Sequence, residues 1–520
     1  MPRTRGVQGG GLTRPASPAF PPSPFPPRSA APSTGNGNAD AAKEAAVGDL
    51  GDGAVEVMQS RQRYMREAAG RLAEGAAPGL WQAPEEKFNA ARFRRELQKT
   101  KRYIKRPNNN ETSKGRMDRD GVGYSARGLI AQMREDGHQR TVGDVTVKLA
   151  ASYGFCWGVE RAVQMAYEAK HTFPDRDLHI TNEIIHNPTV NDKLTEMEVQ
   201  LIPESPEGKD FSQVKAGDVV ILPAFGASVQ EITLLSDRGV EIVDTTCPWV
   251  SKVWNAVNNQ SKFDHTSIIH GKWAHEETIA TASWGGDYLI VKDMKETKLL
   301  VDYIKHGGDK EAFLANFHRR AMSEDFDPET MLEKIGVANQ TTMLKGETEA
   351  IGQLLEKTML EKYGVDQLKD RYRHADTICG ATQDRQDAMY ELVQHQDDPE
   401  RRIDIMLVVG GFNSSNTSHL QEIAEEYNIP SYWVDDFSRI NSADNVIEHR
   451  MMGGMGSEPH EMRTTAGWLP EGPVTIGITS GASTPDRAVE LVLDEVFRTK
   501  DRAFAGIEER DCAPPTVSSH

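Results

Sequence analysis

The stretch VTVKLAASYGFCWGVERAV, residues 145–163, decides the fold. Val145, Val147 and Leu149 alternate with Thr146 and Lys148, the two-residue period of a half-buried strand. Beyond the turn Tyr153-Gly154-Phe155, the apolar residues Val159, Ala162, Val163 and Ala166 recur at helical spacing. Cys156 stands where the strand period gives way to the helix period. The same order recurs twice downstream. Cys247 follows a strand read over Val240 to Thr246 and precedes Pro248, a residue suited to a first helical position, with Val250, Val253, Trp254 and Val257 behind it. Cys379 follows Asp376-Thr377-Ile378 and precedes Gly380 and a helix carrying Ala388, Met389 and Leu392. From Asp144 to about residue 498, β-like runs alternate with helix-period segments, which predicts an α/β protein with parallel sheets in three units, 144–246, 247–378 and 379–498, followed by a tail over 499–520.

Composition narrows the function. The chain has 520 residues and a formal charge of -18, from 60 basic and 78 acidic side chains. Such a balance repels phosphate backbones, and the body has no basic patch to overcome it. No apolar run approaches the roughly 18 residues that a membrane span needs. Four cysteines, at 156, 247, 379 and 512, are too sparse for a disulfide framework and fit a reducing compartment. Residues 1–39 hold no acid, four arginines and nine prolines, a composition like that of an organellar transit peptide, so a disordered transit segment is expected over 1–40. Residues 41–143 read as a helical N-terminal extension, periodic at Val55 to Glu74 and at Glu85 to Tyr103.

Three cysteines share one setting. A thiol beside a helix N-terminus is expected to have a lowered pKa, because aligned peptide dipoles and free N–H groups favour the thiolate, the metal-binding form. Cysteines delivered from the C-terminal edges of three sheets could meet at a centre, where open α/β folds collect ligands, or could lie apart as small buried hydrophobes. If they meet around a cubane, three thiolates leave one iron open to substrate. Cys512 has no flanking strand or helix and reads as an ordinary thiol.

Two further turns suit an anion. Ile403 to Val409 reads as a buried strand, followed by Gly410-Gly411-Phe412-Asn413 and a helix opened by Ser414-Ser415-Asn416-Thr417. Val474 to Thr479 repeats the theme with Ser480-Gly481-Ala482-Ser483-Thr484. Hydroxyls and free N–H groups converge at such helix starts, although Ser and Asn are also ordinary caps. His186, and His270 and His275 with Glu276 and Glu277, follow other apolar runs and could bind an anion or move protons. Neither a phosphate loop of the GxxxxGK[ST] kind nor a His-Glu-x-x-His metal pair is present.

Together, Tyr153-Gly-Phe-Cys-Trp-Gly-Val, Thr181-Asn-Glu-Ile-Ile-His-Asn-Pro, Asp244-Thr-Thr-Cys-Pro-Trp-Val, His270 to Glu277, Asn339-Gln-Thr-Thr, Thr377-Ile-Cys, Asn413-Ser-Ser-Asn-Thr and Thr479-Ser-Gly-Ala-Ser resemble the 4-hydroxy-3-methylbut-2-enyl diphosphate reductases in their plant and algal plastid form. The resemblance implies a trefoil of three α/β domains with pseudo-threefold symmetry around a central iron-sulfur cluster. It implies reductive removal of the allylic hydroxyl, giving isopentenyl and dimethylallyl diphosphate in the last step of the methylerythritol phosphate isoprenoid pathway. By the same likeness, Cys156, Cys247 and Cys379 would hold a 4Fe-4S cluster with an open apical iron. His186, His275, Ser414, Ser415, Asn416 and Ser483 would hold the diphosphate, and Thr341 and Glu277 would face the substrate hydroxyl. A plastid stroma location and a ferredoxin electron donor follow as expectations. The cations from Arg92 to Lys105 are the expected docking face for that acidic donor. Where bacterial members carry a histidine, this chain has Phe225, and Lys272 or His270 is expected to compensate.

Overall fold

The computed structural model describes residues 88–504, apart from 109, 126, 206–207 and 452–460. The transit segment over 1–40, the helix read over Val55 to Glu74 and the thiol of Cys512 lie outside the described residues.

Runs of apolar residues form strands covered on both faces, as parallel sheets require. Val219–Leu222, Thr266–His270, Ile335–Asn339 and Ile405–Val409 are buried at every position. Among the described residues, three large sheets result, beside a two-stranded antiparallel one of Glu204–Ser205 with Gly208–Lys209. The first runs in the order Tyr103–Ile104, Glu241–Asp244, Val219–Leu222, Leu178–Ile180, Val199–Leu201, and every pairing is parallel. The second, also all parallel, runs Tyr288–Val291, Thr266–His270, Ile335–Asn339, Tyr372–His374. The third has eight strands, with Ile405–Val409, Val474–Ser480 and Val145–Leu149 parallel at its centre and antiparallel strands at both edges.

The strand Val145–Leu149, placed by chain order in the unit 144–246, lies in the third sheet, with Val145 opposite Val474 and Leu149 opposite Ile478. Periodicity identifies a strand but says nothing about its partner. The extension, read as helical, has helices at Ala90–Lys99, capped by the Asn89 side chain, at Glu111–Asp120 and at Leu129–Glu135. It also contributes the edge strand Tyr103–Ile104, two residues being too short to show a period.

Each cysteine marks the point where the chain leaves one sheet for the next. After Val145–Leu149 in the third sheet, Cys156 caps the helix Trp157–Thr172, whose Ala162, Val163 and Ala166 pack with Val219, Ile221 and Val243 of the first sheet. After Glu241–Asp244 in the first sheet, Cys247 caps Pro248–Lys262, whose Val253, Trp254 and Val257 pack in the same core as Ile268, Ile269 and Val337 of the second. After Tyr372–His374 in the second sheet, Cys379 caps Gly380–Val393, whose Met389 and Val393 pack with Met406 and Val408 of the third. The path is cyclic, and this gives three short segments at the same kind of sheet edge a common meeting point.

Candidate active site

Two of the three thiols share one space. A Cβ built on Gly158 would lie 2.5 Å from the Cys247 sulfur and 3.9 Å from that of Cys156, so both sulfurs border one space that a side chain at 158 would fill. The Cys247 thiol senses charge on both Cys156 and Cys379. Among the described residues, no three His, Cys, Asp or Glu side chains close on a single ion.

The thiol acidity runs opposite to the expectation from helix N-termini. Burial pushes the Cys247 thiol up to about 12 and raises that of Cys379, while the N–H groups of Trp249, Val250, Ala381 and Thr382 pull the other way and lose. At these two residues desolvation outweighs the dipoles, with Cys379 buried and Cys247 half-buried. Buried thiolates grouped in this way are stable only beside cations, so the donor set fits a metal cluster.

Two arginines shape the loops that present the thiols. Arg385, buried, donates from Nε to the Gly154 carbonyl at 3.1 Å and from Nη2 to the Phe155 carbonyl at 2.9 Å, bracing the loop before Cys156. Arg161 donates from Nη1 to the carbonyls of Thr245 and Thr246 at 3.2 and 3.3 Å, bracing the loop before Cys247. Sequence reasoning missed both. The available signal was an arginine in the second turn of a helix otherwise facing a core.

Glu277 and Thr341 sit against Cys379. The Thr341 N–H donates to one Glu277 carboxylate oxygen at 2.6 Å and the Thr341 hydroxyl to the other at 2.9 Å, while the Cys379 N–H donates to the Thr341 carbonyl at 3.3 Å. Burial pushes the Glu277 carboxyl up to about 7, against those two bonds. A buried carboxyl poised near neutrality is equipped to hold and release a proton.

A set of polar donors lies close by. The His186 Nδ1 pairs with Glu183 at 3.0 Å, leaving a buried Nε2 without a partner. The Ser415 hydroxyl and the Asn416 Nδ2 are buried and unpartnered too. Asn416 accepts the Ala482 N–H at 2.9 Å through Oδ1, and the Ala482 carbonyl in turn accepts the Cys156 N–H at 3.2 Å. Ser414 caps its helix, accepting the Thr417 N–H at 3.3 Å, and Ser483 donates to the His186 carbonyl at 3.1 Å. Close approach makes glycine necessary here. A Cβ on Gly411 would meet the His186 carbonyl oxygen at 2.1 Å, and one on Gly481 the Thr417 hydroxyl at 2.0 Å. Buried donors without acceptors at a helix start make an anion site.

The histidines have different neighbours. His275 accepts the Glu277 N–H at 3.1 Å, and burial, with His186 and Lys272 nearby, holds it well below its ordinary pKa. Phe225 stacks on His186 at 4.7 Å and 13° and meets His275 edge-on at 6.3 Å, so an aromatic wall orients both rings. His270 pairs with Thr348 at 2.7 Å and faces Glu347, with burial holding it at about 3. It sits against Thr348 and Glu347, within electrostatic reach of His419 on the helix that carries Ser415 and Asn416. Lys272, whose pKa burial lowers, lies within reach of Glu422 and Arg450 charge.

A family model described as LytB protein matches residues 147–497. The chain belongs to the LytB protein family. It is 57% identical over 426 residues to the chloroplastic 4-hydroxy-3-methylbut-2-enyl diphosphate reductase of Botryococcus braunii, covering 82% of this chain and 84% of that one. It is 56% identical to the 4-hydroxy-3-methylbut-2-enyl diphosphate reductase of a Nostoc species, covering 72% of this chain and 90% of that one. A solved reductase structure from Plasmodium falciparum aligns with 68% of this chain and 88% of its own at 21% identity and a TM-score of 0.48. LytB proteins are iron-sulfur enzymes.

Proposed function

We infer that the chain is a 4-hydroxy-3-methylbut-2-enyl diphosphate reductase, converting that allylic alcohol to isopentenyl and dimethylallyl diphosphate, with Cys156, Cys247 and Cys379 holding one 4Fe-4S cluster. The observation that carries the reading is the shared space of the Cys156 and Cys247 sulfurs, with Cys379 within their electrostatic reach, together with a carboxyl poised near pH 7 bonded to Thr341 and a set of unpartnered buried donors.

When bound through three thiolates, such a cluster supplies electrons and one iron free of protein ligands for the substrate oxygen. His186, Ser415 and Asn416 offer their unpartnered donors to the diphosphate, with Ser414, Ser483 and His275 completing the enclosure. Glu277 in its acid form passes a proton through the Thr341 hydroxyl to the departing oxygen. The reaction consumes two electrons and two protons: the C–O bond breaks, the oxygen leaves as water, and the second proton ends on carbon. Protonation at either end of the allylic unit gives the two products.

The acid-free N-terminal composition and the chloroplastic relative support a plastid location. Ferredoxin is the proposed donor. Of the cations from Arg92 to Lys105, Lys105 is committed to buried Asp244 at 3.0 Å and Arg94 lies over the Trp284 ring. Arg95, Lys101 and Arg102 are exposed. A groove of about 450 Å³ is lined by Arg94, Lys252 and Lys262. Trp249, 40% exposed and two residues from Cys247, has Lys252 over its ring. An acidic carrier meets cations there close to the candidate ligands.

Anaerobic purification tests the reading. A brown protein with about four irons per chain, losing iron in each of Cys156→Ser, Cys247→Ser and Cys379→Ser and reducing the allylic diphosphate with an artificial reductant, is expected. Colourless protein that turns over the substrate would refute it.

A further inference from the structure

We propose that Tyr103 and Lys105, on the segment preceding the three α/β units, are positioning residues for Cys247 and act through Asp244. This rests on the reading of Cys247 as a cluster ligand. Asp244 ends the strand Glu241–Asp244 and is fully buried. One of its oxygens accepts the Thr246 N–H at 2.9 Å and the Thr246 hydroxyl. The other accepts the Tyr103 hydroxyl and the Lys105 ammonium, the latter at 3.0 Å. A buried carboxylate is strongly destabilising unless its acceptor sites are filled. Here half of them are filled by the loop that leads to Cys247, and half by residues from far upstream.

The upstream segment is fixed to the same loop by three further ties. Tyr103 and Ile104 pair with Ile242 and Val243, and the Arg102 carbonyl accepts the Ile242 N–H at 2.8 Å. Arg161 bridges the two pieces, donating to the Lys105 carbonyl at 2.5 Å and to the carbonyls of Thr245 and Thr246. Lys105 also reaches the Ser251 hydroxyl at 3.4 Å, in the first turn of the helix that Cys247 caps. Cys247 itself donates its N–H to the Ala224 carbonyl at 2.8 Å. Thr245 and Thr246 thus lie between a carboxylate and a guanidinium, and both of these charges are held by the upstream segment. At Cys156 the bracing arginine is Arg385, whose bonds run to Tyr153, Gly154, Phe155 and Ala381 and, among the described residues, none to the upstream segment.

The segment therefore completes one corner of the cage, and weakening it loosens Cys247 before the other two thiols. In the full chain purified anaerobically with its iron, Tyr103→Phe removes one hydroxyl and little volume, and Lys105→Met removes one charge. Iron release to a ferrous chelator is expected to accelerate about tenfold in each, the loss of one hydrogen bond to a buried charge. Maleimide labelling followed by peptide mass spectrometry is expected to find Cys247 modified first. Wild-type release rates in both variants, or equal labelling of the three cysteines, would overturn the proposal. Full iron content in Cys247→Ser, measured in the otherwise unaltered chain, would instead remove the ligand assignment beneath it.

Discussion

Replacing Glu277 by Gln probes the site where geometry and proton affinity meet. Both carboxylate oxygens accept from Thr341, yet burial still pushes the group from 4.5 up to about 7. At about 1.4 kcal/mol per pKa unit, desolvation exceeds those bonds by about 3 kcal/mol. The raised value puts the acid form in place below pH 7 and removes it as pH rises through that value, leaving about one site in ten protonated at pH 8 and one in a hundred at pH 9. Stability has the same sign: the contribution is complete below the ordinary carboxyl pKa and is lost as pH climbs through 7. The amide introduced by Glu277→Gln can still accept the Thr341 N–H but has no acidic proton to give. With iron content unchanged, kcat of Glu277→Gln is expected to fall by about 10² to 10³ and to lose its alkaline limb. Steady-state turnover with a reduced dye from pH 6 to 9 measures both. A variant within threefold of wild type, or one that keeps the same limb, would refute a proton role for this carboxyl.

Three other perturbations separate the parts of the site. Phe225→Ala deletes the ring stacked on His186; KM for the diphosphate is expected to rise about tenfold with a smaller change in kcat, alongside about 3 kcal/mol of lost stability in urea unfolding. Arg385→Met removes the donors to the Gly154 and Phe155 carbonyls; about 3 kcal/mol of stability should go, with faster iron loss, and an unchanged urea midpoint would contradict a bracing role. Reversing charge at Arg95 and Lys252 should lower ferredoxin-driven turnover several-fold and flatten its salt dependence, leaving dye-driven turnover intact.

How much was legible in the sequence depends on how local each feature is. Cys156, Cys247 and Cys379 were readable at strand-to-helix junctions because a two-residue and a 3.6-residue period meet there. The partner of Val145–Leu149 was not, since its alternation suits any sheet edge and the strand joins Val474, distant in sequence. The sign of the thiol shifts was missed because helix starts are visible in a sequence and desolvation is not. His270 and His275 look alike along the chain. Only the fold shows that one lies against Thr348 and the other beside Glu277. Glu277 and Thr341 were identified through family likeness, and their pairing is a contact between segments that no spacing rule connects.

The cyclic path also explains why the three corners differ. The helix after Cys156 braces the loop before Cys247 through Arg161, and the helix after Cys379 braces the loop before Cys156 through Arg385. By the same succession the helix after Cys247 should brace the loop before Cys379, yet a groove of about 450 Å³ lies there, lined by Lys252, Asn255, Asp376 and Thr377. That loop is held instead by neutral groups: the Thr377 hydroxyl donates to Asn339 at 2.5 Å, and the Cys379 N–H to the Thr341 carbonyl. The difference follows from what stands beside it. Glu277 is raised by burial, with no cation among the groups acting on it. A buried guanidinium at this corner would favour its ionised form and draw its pKa back down. The chain would then lose, at neutral pH, the acid that the Thr341 contact is arranged to use.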